Sequence, residues 1–173
     1  MSQEWGSEVL NIRPVIHTGC IKSRSILSSM TSNPPLPLPY GPPISLALAR
    51  TIVEGAEREA IKNHWPMAIA IADSTGHLVL FQRLDQTQLA SMEIAIKKAE
   101  SAVKYRRSTK VFEEMLASGG VGLRALSLPG AMAVEGGLLL VKNGEVIGAI
   151  GVSGMRAVDD GQVAQAGVEA LLS

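Results

Sequence analysis

The stretch that decides the fold is Gly144–Gly154, GEVIGAIGVSG. It follows a turn signal, because Asn143-Gly144 suits a two-residue type I′ hairpin in which both central residues have positive φ. Alternate side chains of a strand point to opposite faces, so one face has Val146, Gly148, Ile150 and Val152, and the other has Ile147, Ala149, Gly151 and Ser153. We predict a strand whose second, nearly bare face lets a helix, another backbone or a ligand come close.

A second stretch, Met67–Asp73 (MAIAIAD), shows the same division into a large and a small face. Strands that are apolar on both faces are typical of central positions in a sheet. We therefore expect these two strands in the middle of one sheet. Ser74–His77 predicts a turn, after which Leu78–Arg83 returns as a hairpin partner.

The remaining periodicity predicts helices and one further hairpin. The first helix spans about Ser45–Asn63, the second runs from the N-cap Ser91 to about Tyr105, and a shorter one is capped by Ser108 or Thr109. The last opens at Asp159 or Asp160, with Asp159 and Gln162 as a capping box. Leu138–Val141 pairs with the first-described strand, and a short strand is expected near Ala131–Val134. The predicted class is α+β, a sheet with helices packed on it.

Composition excludes several classes of protein. The 173 residues contain 16 Lys+Arg and 16 Asp+Glu, so net charge gives no reason to expect nucleic acid or an anionic membrane as partner. The single cysteine, Cys20, allows no internal disulfide and predicts a reducing, cytoplasmic location. We find neither an apolar run long enough for a membrane span nor a signal peptide pattern.

The chain divides into an N-terminal extension, residues 1–43, and a domain, residues 44–173. Asn33–Pro43, NPPLPLPYGPP, holds six prolines. Because proline fixes φ and lacks an N–H, we expect an extended, polyproline-like arm there and no core.

Lys98 is the most informative charged residue. It lies four positions after Ile94 and four before Ala102, so it projects from the apolar stripe of the second helix. An unpaired buried charge costs several kcal/mol, so an acidic group must meet it. One possibility is a buried ion pair with Asp85 that also ties down Arg83. The other is a pocket in which Arg83 and Lys98 hold a carboxylate and a desolvated lysine carries protons.

The glycine-rich turns are a second candidate for binding. Glu135-Gly136-Gly137 and Ser153-Gly154 lie at the ends of neighbouring predicted strands, where main-chain N–H groups can receive an anion and Arg156 can add a charge. The alternative is that these glycines serve close packing or positive φ. Ser153 has no histidine at a matching motif to make it a nucleophile. We predict no metal site, because capping explains Asp159-Asp160 and no His/Cys cluster has ligand spacing.

Five motifs occur in an order that resembles the GlcG/HbpS family of haem-binding or haem-degrading-type proteins, which includes the C-terminal domain of PduO-type proteins. They are HLVLFQRLDQTQLASMEIAIKKAESA (77–102), LPG (128–130), EGG (135–137), NGEVIGAIGVSG (143–154) and DDGQVAQAG (159–167). The resemblance covers about Pro34–Ser173. It implies a profilin- or PAS-like fold with a single antiparallel sheet of about five strands. It also implies homo-oligomers, often dimers assembled into octamers, with haem as ligand in some members and catabolic operons as a frequent setting.

Haem requires an axial ligand such as His, Met or Tyr, and cations for its propionates. The histidines are His17 in the extension, His64 at a helix end and His77 in a turn. The resemblance implies that family members which ligate haem through histidine use the first helix, and none of these histidines lies inside that helix. Met155 follows the GVSG loop and could face a pocket, or it could simply pack on the last helix.

Three hypotheses of function follow. The first is a cytoplasmic homo-oligomer that binds haem or a related planar or acidic compound between the second helix, the GVSG loop and a neighbouring subunit. The second is an enzyme that acts on a small carboxylate or aromatic catabolite by proton transfer at Lys98 with Asp85. The third is an assembly module without a ligand, in which Arg83, Asp85 and Lys98 are purely structural.

Overall fold

A computed structural model describes residues 36–172 of the protein. The elements are α1 (Leu46–Lys62), β1 (Ala68–Asp73), β2 (Leu78–Arg83), α2 (Ala90–Tyr105), α3 (Lys110–Ala117), a 3₁₀ helix (Gly120–Ser127), β3 (Gly137–Lys142), β4 (Glu145–Ser153) and α4 (Ala157–Leu172). The predicted order of helix, hairpin, two helices, hairpin and helix is confirmed. Residues 131–134 are irregular, so the short strand expected there is wrong.

The strands form one open antiparallel sheet in the order β2-β1-β4-β3. The α+β class is therefore confirmed, with four strands among residues 36–172 where about five were expected. β1 and β4 occupy the centre, as their apolar faces predict. Asn143 and Gly144 have φ of 53° and 79°, which are the positive values that a type I′ turn requires.

Side-chain size divides the core between the two faces of the sheet. The large side chains of β1 pack with α1 and α4. Its alanines pack with α2 on the opposite face. Ile147 departs from the predicted alternation. β4 bulges between Val146 and Gly148, and Ile147 lies on the face of the sheet that packs with α1 and α4. A bulge inserts one residue and so changes which face a side chain reaches.

Two of the predicted helix starts need correction. Ser45 caps α1 as expected, because its Oγ accepts a hydrogen bond from Leu48 N at 3.3 Å. Ser91, however, lies inside the first turn of α2, where its buried Oγ has no hydrogen-bond partner. α4 begins at Ala157, before the two aspartates, because the N–H groups of Asp159 and Asp160 already donate to the Arg156 carbonyl at 2.9 and 3.0 Å.

The predicted capping box of α4 does not form. Asp159 receives hydrogen bonds from the Arg156 guanidinium, and Gln162 donates instead to Glu59 of α1. Both side chains have partners outside the geometry that a capping box needs.

The described part of the proline-rich arm is extended and mostly exposed. Gly41 N donates to the Val146 carbonyl and Val146 N donates to the Pro39 carbonyl, each at 2.9 Å. These bonds attach the arm to β4 beyond the end of β1. Residues 1–35, with His17 and Cys20, lie outside the described residues, and the boundary between residues 43 and 44 stays a prediction.

Among residues 36–172, the helices are all too short or too polar to cross a membrane.

Candidate functional site

The contact between α2 and β4 determines the environment of Lys98. A Cβ atom on Gly151 would overlap the carbonyl oxygen of Ala95, so only glycine lets the helix lie this close to the strand. The bare face of β4 is thus covered by a helix. Lys98, on the same side of α2, has no exposed surface.

Lys98 forms an ion pair with Asp160 at the start of α4. Its Nζ lies 2.7 Å from Asp160 Oδ2 and 2.9 Å from the Val152 carbonyl, to which it donates. The expected ion pair with Asp85 is therefore wrong. The expectation that an acidic group meets this lysine is correct, but the acid comes from a helix 62 residues further along the chain.

The Asp160 carboxylate is held on both oxygens. Oδ2 accepts a hydrogen bond from Lys98 Nζ at 2.7 Å, and Oδ1 accepts one from Met155 N at 3.0 Å. Burial raises the pKa of Asp160, and attraction to Lys98 opposes this rise. Burial likewise lowers the pKa of Lys98, and Asp160 opposes that change. The pair is short and each member also bonds the backbone, so it ties α2, β4 and α4 together.

Gly136 and Gly137 pack directly against this pair. A Cβ on Gly136 would lie 2.8 Å from Lys98 Nζ and 2.6 Å from the Val152 oxygen, and its φ is 124°. A Cβ on Gly137 would lie 2.6 Å from Thr109 Cγ2. Close packing therefore accounts for both glycines, and a positive φ is a second reason at Gly136.

Several of the main-chain N–H groups considered for an anion are used within the protein. Glu135 N donates to Glu113 Oε2 at 2.6 Å, and Gly137 N donates to Thr109 Oγ1 at 2.9 Å. The Met155 N–H donates to Asp160 Oδ1 at 3.0 Å. At these three N–H groups the protein's own oxygens thus occupy the place that a bound anion would take.

Charged side chains surround the buried pair. Glu135 lies over Gly161 of α4, where a Cβ would be 2.6 Å from its Oε1, and both its carboxylate oxygens accept from Lys110 Nζ at 3.1 Å. We call Lys98, Asp160, Glu135 and Lys110 the lysine cluster. The structure thus brings the predicted residues Lys98, Glu135, Gly136, Gly137, Ser153, Gly154, Met155 and Arg156 to one end of the sheet.

Arg156 and Met155 form the exposed edge of this region. The Arg156 guanidinium bonds Asp159 at 2.8 and 2.9 Å and its side chain is 79% exposed. These bonds lower the pKa of Asp159. Met155 is 43% exposed and Ser153 only 4%. Met155 and Arg156 are therefore the most exposed of the predicted site residues at this end of the sheet.

Arg83 and Asp85 belong to a different part of the molecule. Arg83 is exposed and its Nη1 lies 4.0 Å from Met92 Sδ. Asp85 is exposed and lines a groove of about 600 Å³, which we call the His64 groove. Its lining residues are Glu57, Ile61, His64, Trp65, Pro66, Leu84, Asp85 and Gln86. The structure therefore does not bring Arg83 and Asp85 together with Lys98 in one site.

The His64 groove is the feature that sequence reasoning missed. The end of α1 forms one wall and the segment between β2 and α2 forms the other. In each wall a polar residue is next to an apolar one in the sequence, as in His64-Trp65 and in Leu84-Asp85. These two pairs are the sequence signal that could have indicated the groove. Nothing local shows that the two segments meet.

The other histidine in the described region is engaged in a turn. His77 Nδ1 lies 2.7 Å from Thr75 Oγ1, and Asp73 Oδ1 accepts from Thr75 N and His77 N. Residues 36–172 contain no group of three or more His, Cys, Asp or Glu side chains that could hold a metal ion.

Comparison with known proteins identifies the family. The model of the family described as "Haem degrading protein HbpS-like" matches residues 44–169. Protein GlcG of Escherichia coli (strain K12) is 38% identical over 110 residues, which are 64% of this chain and 81% of GlcG.

Solved structures support the same relationship. Klebsiella pneumoniae protein ORFY superposes with a TM-score of 0.70 at 26% identity, covering 84% of this chain and 99% of ORFY. The complex of PduOC with haem superposes with a TM-score of 0.67 at 26% identity, covering 74% of this chain and 94% of PduOC. From its core pattern, its topology and these matches, the chain belongs to the HbpS-like family.

Proposed function

We propose that the protein binds a small planar ligand, haem or a related acidic compound, as a cytoplasmic homo-oligomer. The observation that carries the proposal is the likeness to PduOC, whose solved complex contains haem. The match to a family described as haem degrading supports the same ligand class. The single cysteine of the sequence supports a reducing compartment.

The ligand binds at the exposed edge of the lysine cluster. Lys98 itself is bonded to Asp160 and a carbonyl, so it supports the loop from behind. Met155 offers a thioether that can ligate haem iron. Arg156 offers a guanidinium that can bind a carboxylate in bidentate fashion, in exchange for its exposed bond with Asp159.

A second copy of the chain completes the site. The 3₁₀ helix exposes three apolar side chains, Val121, Leu123 and Leu126, at 76%, 52% and 74%. Several large exposed apolar side chains on one short element favour association. Light scattering on the purified protein is expected to give the molar mass of a dimer or an octamer. The Leu126→Glu variant is expected to have a lower molar mass, closer to that of the monomer. A monomeric parent protein would contradict this part of the proposal.

Hemin titration followed at the Soret band tests the ligand. The parent protein is expected to show a saturable shift at micromolar protein, and Met155→Ala is expected to alter the bound spectrum. Arg156→Gln is expected to weaken binding severalfold, whereas Arg50→Gln, which removes an exposed arginine on α1, serves as the matched control. His64→Ala is expected to leave the shift unchanged.

Two results would contradict the proposal. The absence of any saturable shift would remove haem and favour an assembly module without a ligand. A shift lost in His64→Ala but kept in Met155→Ala would move the site to the groove. Catalysis by Lys98 with Asp85 receives no support from residues 36–172, because the two side chains lie in different regions.

A further inference from the structure

We propose that the His64 groove is a second binding site, for an organic cation that has a flat apolar ring. This proposal is independent of haem binding, because it concerns other residues and the opposite ligand charge. The volume of the His64 groove, about 600 Å³, lies within the range of about 300–1,000 Å³ that is usual for small-molecule pockets.

The floor of the groove is apolar and partly aromatic. Trp65 and Leu84 are half-buried and pack against the main core, and Ile61 at the edge is 58% exposed. A flat ring placed on this surface would gain apolar contact. The indole face of Trp65 also attracts a cation within about 6 Å of its centroid.

The charges of the groove favour a cation over an anion. Glu57 and Asp85 line it from opposite walls, and no Lys or Arg is among its lining residues. Neither carboxylate forms a hydrogen bond or an ion pair with another side chain of the described region. This contrasts with Asp160 and Glu135, whose charges are met by lysines. Two unmatched carboxylates beside an aromatic surface are complementary to an ammonium group.

The walls of the groove are fixed before any ligand arrives. His64 and Gln86, one on each wall, have φ of 58° and 63°, a region in which a residue other than glycine is strained. On the helix side, Trp65 N donates to the Ala60 carbonyl at 2.9 Å, which is the bond of a helix end closed by a left-handed residue.

Glycine is the usual residue at such a helix end. A histidine there costs stability and places an imidazole on the groove. On the other wall, Thr87 Oγ1 donates to the Leu84 and Met67 carbonyls at 2.7 and 3.1 Å. Rigid walls reduce the ordering cost of binding.

Three probes of nearly equal shape test the proposal, namely 2-phenylethylammonium, the neutral 2-phenylethanol and the anion phenylacetate. Titration of the full chain is followed by NMR at the Trp65 indole N–H, with Trp5→Phe to identify that signal. The cation is expected to bind saturably and more tightly than the alcohol, and phenylacetate is expected to bind least.

Charge-removing variants identify the site. Asp85→Asn and Glu57→Gln are each expected to weaken cation binding about threefold, and together about tenfold, in keeping with partly exposed charge pairs. Glu93→Gln, an exposed carboxylate on α2, is expected to have no effect. Thermal melting checks that the variants are folded.

The proposal is overturned if phenylacetate binds as tightly as the cation, or if the double variant binds the cation like the parent. Absence of saturable cation binding overturns it as well. Hemin titration of Asp85→Asn keeps the two proposals separate, since the Soret shift is expected to be unchanged whether or not the groove binds a cation.

Discussion

The lysine cluster and the His64 groove differ in whether their charged side chains have partners within the protein. In the cluster, Lys98 and Asp160 are buried and each is bonded to the other and to the backbone. In the groove, Glu57 and Asp85 face open space without partners among the described residues. Charge alone therefore does not mark a ligand site. The buried and paired charges of the cluster are closed to a ligand, whereas the exposed carboxylates of the groove are open to one.

The difference follows from the cost of removing a charge from water. A buried ion without a partner costs several kcal/mol, so the cluster is stable only because the chain supplies every partner itself. A carboxylate at the rim of an open groove keeps most of its hydration and needs no partner. Sites of the second kind can be left free for binding at little cost in stability.

Breaking the buried pair tests the comparison most severely. Lys98→Met would leave the Asp160 carboxylate buried without a cation, and we expect a loss of about 3–5 kcal/mol in the free energy of unfolding, measured by urea denaturation. Asp160→Asn would leave the lysine without its anion and is also expected to be strongly destabilising. Because each single change leaves a charge unmatched, the double variant should lose less than the sum of the two. Additive losses would show that the pair is not coupled.

Gly136→Ala is expected to have the next largest effect. The new Cβ would contact Lys98 Nζ and the Val152 oxygen, and φ of 124° is unfavourable for alanine, so we expect a loss of about 2–3 kcal/mol. Gly144→Ala is the matched control, since it has φ of 79° and open space around it. That variant should lose only about 1 kcal/mol. Equal losses would mean that packing on the lysine contributes nothing.

A smaller effect is expected at Glu59 of α1. Hydrogen bonds from Gln162, Asn63 and Lys62 lower the pKa of Glu59. A carboxyl group whose pKa is lower in the folded than in the unfolded protein stabilises the folded state. This stabilisation is complete above the unfolded pKa, about 4.3, and it is lost as the pH falls through the folded pKa. Glu59→Gln should therefore cost less than about 1 kcal/mol at pH 7 and reduce the acid dependence of stability. An unchanged acid profile would contradict this.

The smallest effect is expected at the groove. Asp85→Asn and Glu57→Gln should change the free energy of unfolding by less than about 0.5 kcal/mol, because neither side chain has a partner to lose. Thermal melting of these variants beside Glu59→Gln measures the difference directly. A loss similar to that of Glu59→Gln would show that the groove carboxylates are structural.

Local pattern predicted most of the fold. The alternation in Met67–Asp73 and Gly144–Gly154 gave the two central strands, and Asn143-Gly144 gave the turn between β3 and β4. Helix ends were less predictable, because the start of α4 depends on hydrogen bonds to Arg156 and the first turn of α2 uses no side-chain cap.

The sequence by itself determined that Lys98 lies inside and must be paired, since helical periodicity places it on an apolar stripe and burial forbids a lone charge. Tertiary structure decided which acid meets it, because Asp160 arrives only when α4 packs beside β4. It also decided that Asp85 joins His64 across a groove. Periodicity assigns a residue to a face through neighbours a few positions away, whereas partners far apart in the chain are fixed by how whole elements pack.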